Sequence, residues 1–248
     1  MSIKEKFVKI FNWFEDLFMK NHSCVGCGRE IADGTKFQLC DMCKSNIHKI
    51  SGNVCKKCGD EVLLGNNFCD YCKNVEYKFD ENRSYCYYDE VSAKIVKRFK
   101  YSGRKYYAKH IAEMMVENRG VFENIDVITF VPSNTKTLKE RRYNQAEELA
   151  KEISKITGIE VCELLKKSDD RKHQAGLTKS ERLENLKGSF SIVLENKDFI
   201  KGKNVLIVDD VFTTGATLNE CSKVVLKHKP KKIKTITFAK TKLGSKNS

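Results

Sequence analysis

Residues 204–217 read NVLIVDDVFTTGAT, and this stretch constrains the chain more than any other. The apolar run Val205-Leu206-Ile207-Val208 has the length and composition of a buried strand. Two carboxylates, Asp209 and Asp210, end it. A loop of small hydroxyl and glycine residues follows, Thr213-Thr214-Gly215-Ala216-Thr217, and a helix is predicted over Leu218–Lys227. A strand feeding a Gly/Thr loop and then a helix N-terminus is a phosphate cradle. Loop amides and hydroxyls donate hydrogen bonds, and the helix dipole favours negative charge. The adjacent acids can hold ribose hydroxyls or a magnesium ion. No lysine follows Gly215, which argues against a Walker-type ATPase loop.

The surrounding pattern supports an α/β fold. From about residue 81, helices are predicted over Ser92–Lys100, Tyr106–Glu117 and Gln145–Ile156. Strands are predicted over Asp126–Val131 (closed by Pro132), Val161–Leu165, Val205–Val208 and Ile233–Ala239. Alternating strands and helices imply a parallel sheet covered by helices on both faces. Ligands of such sheets sit beyond the strand C-termini, where the polar loops after Val131 and Val208 both fall.

Eight of the eleven cysteines form CxxC pairs: Cys24/Cys27, Cys40/Cys43, Cys55/Cys58 and Cys69/Cys72. The segment repeats internally, a CxxCG knuckle followed by a CDxCK knuckle in each copy. Two thiolates on one tight turn can bind one tetrahedral metal, and two such turns complete a closed structural site, for which zinc is the expected ion. The repeat favours Cys24, Cys27, Cys40 and Cys43 on one zinc and Cys55, Cys58, Cys69 and Cys72 on a second, although a crossed arrangement also uses every ligand. Few apolar residues separate the knuckles, so metal supplies much of the folding energy. Cys86, Cys162 and Cys221 stand alone and read as core residues.

The expected organisation is an N-terminal helix over 1–22, a double zinc ribbon over 23–80 and the α/β domain over 81–248. Phe7, Phe11, Phe14 and Phe18 recur at helical spacing beside Ile10 and Leu17. This amphipathic helix docks on protein or lies on a membrane with Trp13 as anchor. Glu15 and Asp16 favour docking. No apolar run approaches the roughly 20 residues of a bilayer span, and the N-terminus lacks a signal-peptide core, so a cytoplasmic location is expected. The formal charge of +13 favours anionic partners such as nucleic acid or phosphorylated metabolites, or marks a lysine-rich solvated surface. The densest run, Lys227 to Lys234, is placed between a helix and a strand.

The 204–217 segment resembles the phosphoribosyl diphosphate (PRPP) signature of type I phosphoribosyltransferases. That resemblance implies that Asp209 and Asp210 contact the ribose hydroxyls while Thr213, Thr214, Gly215, Ala216 and Thr217 take the 5-phosphate. The loop after the first predicted strand then faces the pyrophosphate, offering Ser133, Asn134, Thr135 and Lys136, with Arg141 and Arg142 adding charge. Asp209, Asp210 and Arg142 become the candidate catalytic residues, and magnesium is expected with PRPP.

Further stretches narrow the resemblance to the ComF family. Glu140-Arg141-Arg142-Tyr143-Asn144-Gln145-Ala146-Glu147 is similar to its RGFNQAE element, with Arg142-Tyr143 in place of Gly-Phe. Gln174-Ala175-Gly176-Leu177, Glu181-Arg182-Leu183-Glu184-Asn185 and Gly188-Ser189-Phe190 resemble its Q-x-x-L, R-x-x-N and G-x-F elements. Phe99-Lys100-Tyr101-Ser102-Gly103 resembles its K-Y-x-G element, and the cysteine pairs match its double zinc ribbon. The resemblance implies a cytoplasmic competence protein that handles incoming single-stranded DNA, with a helicase-like competence partner. Residues 166–188 correspond to the mobile loop that closes over PRPP, with Arg171, Lys172 and Arg182 as its charges. Three functions are consistent with these residues: a phosphoribosyltransferase of unknown acceptor, a PRPP- or nucleotide-binding DNA module without turnover, and a zinc-dependent scaffold. The intact acids and loop argue against the scaffold.

Overall fold

The computed structural model describes residues 23–101, 105–168, 186, 188–196 and 198–243. The predicted N-terminal helix and the loop charges Arg171, Lys172 and Arg182 lie outside them.

In chain order the main elements are α1 (Asp41–Asn46), α2 (Asp70–Lys73), β1 (Glu81–Tyr87), α3 (Glu90–Tyr101), α4 (Tyr107–Met115), β2 (Val127–Phe130), α5 (Thr135–Arg141), α6 (Gln145–Thr157), β3 (Leu165–Lys167), β4 (Phe190–Ile192), β5 (Asn204–Phe212), α7 (Ala216–Leu226) and β6 (Lys232–Lys240). The sheet has the order β1-β6-β5-β2 and every ladder in it is parallel. The expected α/β fold with a parallel sheet and a cysteine-rich N-terminal region is what forms.

Topology positions the site. Helix α6 packs against β2 and β5, and α7 packs between β5 and β6. The chain after β2 returns at Val161, which bridges Ile128 on the outer side of β2, whereas the chain after β5 returns as β6 on the inner side. Right-handed crossovers in opposite directions put α6 and α7 on opposite faces. A crevice therefore opens between the C-terminal ends of β2 and β5, the switch point where open α/β sheets bind ligands.

Several sequence expectations need correction. Strand β5 does not stop at Val208. It pairs Asp209 with Thr237 and Val211 with Ala239, so both acids are strand residues, held in register because the long β6 runs beside them. The predicted strand Val161–Leu165 is only a single bridge. Ile128 N donates to Glu160 O and Cys162 N to Ile128 O, but Leu164 N turns to the Thr129 hydroxyl (3.3 Å), ending the ladder. The chain then forms β3, which pairs antiparallel with β4. The stretch after β2, read as a loop, contains α5, because Asn134 caps it by accepting from Thr137 N at 2.8 Å. Strand β1 was not expected. Its polar residues pair inside the sheet: Asn82 with Thr235 (2.9 Å) and Ser84 with Thr237 (2.7 Å).

Both ribbons dock on this sheet domain. Glu117, after α4, pairs with Lys36 (2.9 Å) and Lys49 (2.5 Å) of the first ribbon. The second ribbon bonds to β1: Asn82 N donates to Lys57 O and its amide Nδ2 to Cys58 O. Gly59 is in the left-handed region (φ +71°), and a Cβ there would lie 2.6 Å from Asn82 O, so glycine permits this approach. Among the described residues, no helix is long and apolar enough to cross a membrane.

Candidate functional site

The crevice floor is the C-terminal end of β5. Asp210 is buried, and its Oδ2 lies 2.6 Å from Lys100 Nζ, delivered from the last turn of α3. Asp209 Oδ1 accepts from Asp210 N at 2.8 Å. Burial first, and the neighbouring Asp210 charge second, push Asp209 up to about 7. The two acids thus have different electrostatic fates. One carries its own cation, and the other is poised to ionise near neutrality. Lys100 was singled out in the sequence only as part of a motif. Its partner was invisible there because α3 and β5 meet only in the fold.

Beyond the acids the chain turns through Thr213 and Thr214 to Gly215, which caps α7 in the left-handed region (φ 75°). Thr214 Oγ1 accepts from Ala216 N at 3.4 Å. Ala216 and Thr217 form the first turn of α7, where backbone N–H groups lack helical partners and the dipole end is positive. The segment thus folds as a strand, a turn and a helix N-terminus, with the helix beginning at Ala216 rather than at Leu218.

The opposite wall is the end of β2. Asn144 caps α6, accepting from Ala146 N (3.1 Å), and its Nδ2 donates to Val131 O (3.0 Å). Ser133 Oγ donates to Asn144 Oδ1 at 3.2 Å. Ser133 and Asn134 are thereby fixed at the lip, while Lys136 is exposed on α5. Tyr143 is buried and its hydroxyl donates to Phe99 O, tying this wall to the helix that carries Lys100. Arg142 is the exposed C-cap of α5 with φ 68°. That left-handed backbone accounts for the glycine of the family element, and arginine tolerates it here at some strain. Arg141 Nη1 donates to Gln145 and its guanidinium lies 5.3 Å from the Tyr101 ring centre.

The eight paired cysteines gather as Cys24, Cys27, Cys40, Cys43 and as Cys55, Cys58, Cys69, Cys72, each set with its sulfurs within 4.8 Å of one another. This is the tandem pairing, and the crossed one does not form. Zinc–sulfur bonds of about 2.3 Å in a tetrahedron place sulfurs about 3.8 Å apart. Cys27–Cys40 at 3.7 Å and Cys58–Cys69 at 3.6 Å fit that ion. Cys86 and Cys221 are fully buried core residues, as expected.

Two family models match the chain: a double zinc ribbon domain over residues 16–75 and a phosphoribosyl transferase domain over residues 144–248. Competence protein F of Haemophilus influenzae is 28% identical over 214 residues, covering 84% of this chain and 92% of that one. Along most of its length the chain is similar to the ComF competence proteins. Competence protein ComFC of Bacillus subtilis is 24% identical, covering 76% of this chain and 78% of its own length. The DNA utilization protein YhgH of Escherichia coli is 22% identical, covering 83% and 91%. The two matched families account for the two parts of the structure, a double zinc ribbon packed on a phosphoribosyltransferase-type sheet.

Proposed function

We propose that the crevice between β2 and β5 binds PRPP with magnesium, and that this protein handles incoming single-stranded DNA in the cytoplasm during competence. The observation that carries the ligand assignment is the acid pair at the end of β5 running directly into the Gly215-capped N-terminus of α7. In this reading Asp209 and Asp210 accept from the ribose hydroxyls. The amides and hydroxyls of Thr213, Thr214, Gly215, Ala216 and Thr217 surround the 5-phosphate. Ser133, Asn134 and Lys136 face the pyrophosphate, and Arg142 supplies charge at that end. Magnesium, when bound with the ligand, neutralises the diphosphate and favours its departure.

The DNA assignment draws on charge and kinship. Gly202 N bonds Lys229 O and Lys231 N bonds Lys203 O, which brings Lys201, Lys203, Lys229 and Lys231 to one basic edge. That edge precedes β5 and β6, so it lies at the end of the sheet away from the acid pair. A basic edge of this kind suits a phosphate backbone. The names of the relatives concern competence and DNA utilization. The thiolate zinc ligands suit a reducing compartment.

A calorimetric titration with PRPP and magnesium tests the ligand assignment. Binding by the wild-type chain and its loss in Asp209→Ala/Asp210→Ala is expected, and unchanged heat in the double variant would falsify the site. Gel shifts with single-stranded DNA at rising salt test the second part. Affinity should fall steeply with salt, and a flat response removes the nucleic-acid reading.

A further inference from the structure

The phosphate loop is gripped by the chain of the second ribbon. Tyr77 leaves that ribbon just after Cys72, is 5% exposed, and its hydroxyl donates to Thr214 O at 2.7 Å. Its ring stacks on Phe79 (4.7 Å, 19°) and meets Phe212 edge-on (6.1 Å). The next residue, Lys78, donates its N–H to Asn219 Oδ1 on α7 at 2.7 Å. Gly215 lies flat on this surface: a Cβ there would sit 2.6 Å from Phe212 Cζ and 2.8 Å from Tyr77 Cε1.

A second tether runs through β6. Thr241 Oγ1 donates to Thr213 O at 3.0 Å. The preceding residue, Lys240, is ion-paired with Asp60 of the Cys55–Cys58 knuckle at 2.9 Å. Two successive carbonyls of the loop, those of Thr213 and Thr214, are thus drawn toward groups anchored on the second ribbon. In a trans peptide the N–H points opposite to the C=O. Holding these two carbonyls therefore turns the N–H groups of Thr214 and Gly215 the other way, away from the ribbon side. These are two of the amides that the cradle offers.

We infer that Tyr77 is a positioning residue of the phosphate loop, and that through it zinc in the Cys55/Cys58/Cys69/Cys72 site is linked to binding of a phosphoribosyl ligand. This rests on the reading of the crevice given above. Zinc fixes the knuckle from which the Tyr77 segment departs, so metal loss frees the hydroxyl that sets the loop. By linkage, a ligand that needs the ordered loop must in turn stabilise the zinc site. The first ribbon is instead held to the sheet domain at Glu117, through Lys36 and Lys49.

The test compares the zinc-loaded full chain with its Tyr77→Phe variant, which keeps the ring packing and removes one hydroxyl. The variant should retain both zinc ions. Its dissociation constant for PRPP with magnesium should rise about fivefold, the equivalent of one hydrogen bond of roughly 1 kcal/mol. Zinc transfer to a chromogenic chelator supplies the second readout. In the wild type, PRPP should slow one of two release phases, and in Tyr77→Phe it should slow neither. Equal affinities together with unchanged protection overturn the linkage and leave the crevice assignment standing. A wild-type chain that does not bind PRPP overturns the crevice assignment itself.

Discussion

Lys240 Nζ lies 2.9 Å from Asp60 Oδ2, joining the last residue of β6 to the second zinc knuckle with side chains 0% and 4% exposed. Asp60 is further satisfied by Tyr87 OH (2.6 Å) and by Leu243 N (3.1 Å). Removing one partner of such a pair strands a buried charge, at a cost of about 3–5 kcal/mol. Lys240→Met should therefore lower unfolding free energy by about that amount, whereas Lys240→Met/Asp60→Asn should recover part of it. Urea denaturation of wild type, Lys240→Met, Asp60→Asn and the double variant closes the cycle, and additive losses would show that the charges do not interact.

Zinc removal should separate the two halves of the molecule unequally. Outside the cysteines, the buried apolar residues of the first ribbon are Val25, Phe37, Leu39, Ile47 and Ile50, a small set beside the sheet's larger core. Elemental analysis should give two zinc ions per chain, and chelation should unfold the ribbons before the sheet. One ion per chain, or a single cooperative transition unaffected by chelator, would count against this.

Gly59→Ala tests the junction between ribbon and sheet. The new Cβ would meet Asn82 O at 2.6 Å in a backbone with φ +71°. Both the clash with backbone and the left-handed strain act in the same direction, so a loss of about 1–3 kcal/mol is expected. Thermal denaturation of the zinc-loaded protein reads this directly. An alanine variant as stable as wild type would mean that the knuckle and β1 can separate freely.

Much of this was legible in residues 204–217 and in the CxxC repeats, because local order and spacing decide those features. The apolar run of β5, the small-residue turn at Gly215 and the favoured tandem cysteine groups follow from neighbours close in sequence. What was not legible depends on partners brought together by the fold. Strand β1 reads as polar until Asn82 and Ser84 find Thr235 and Thr237 on β6. Asp209 and Asp210 read as loop residues until β6 supplies their ladder. Lys100 reads as a helix-end charge until it meets Asp210, and Tyr77 carries no signal until it meets Thr214. The Asn134 cap was written in the sequence, and polar composition concealed it.

Lys100 neutralises one of two adjacent carboxylates, and burial of its ammonium is offset by that contact. With Lys100→Met both acids face the crevice without a resident cation. Repulsion between them should destabilise the empty protein and strengthen its affinity for a divalent cation. Titration with manganese, followed by its paramagnetic signal, should show tighter binding in the variant. Weaker binding would mean that Lys100 organises the acids for the metal.

The raised Asp209 gives the site a defined pH response. Its folded pKa of about 7 lies above the ordinary aspartate value of about 3.9. Between those values the folded state holds a proton that the unfolded state has released. The slope of stability is set by protons bound unfolded minus folded, so this group lowers stability as pH rises from about 4 to about 7, with no further change above. Asp209→Asn should flatten that part of the profile and should be more stable than wild type at pH 8. Ligand binding runs the other way. If ribose hydroxyls donate to the carboxylate as proposed, affinity for PRPP should strengthen as pH rises from 6 to 8, with a proton released on binding below neutrality. Titrations in two buffers of different ionisation enthalpy count that proton. Equal affinity at both pH values and no proton release would mean that Asp209 is already ionised in the empty site.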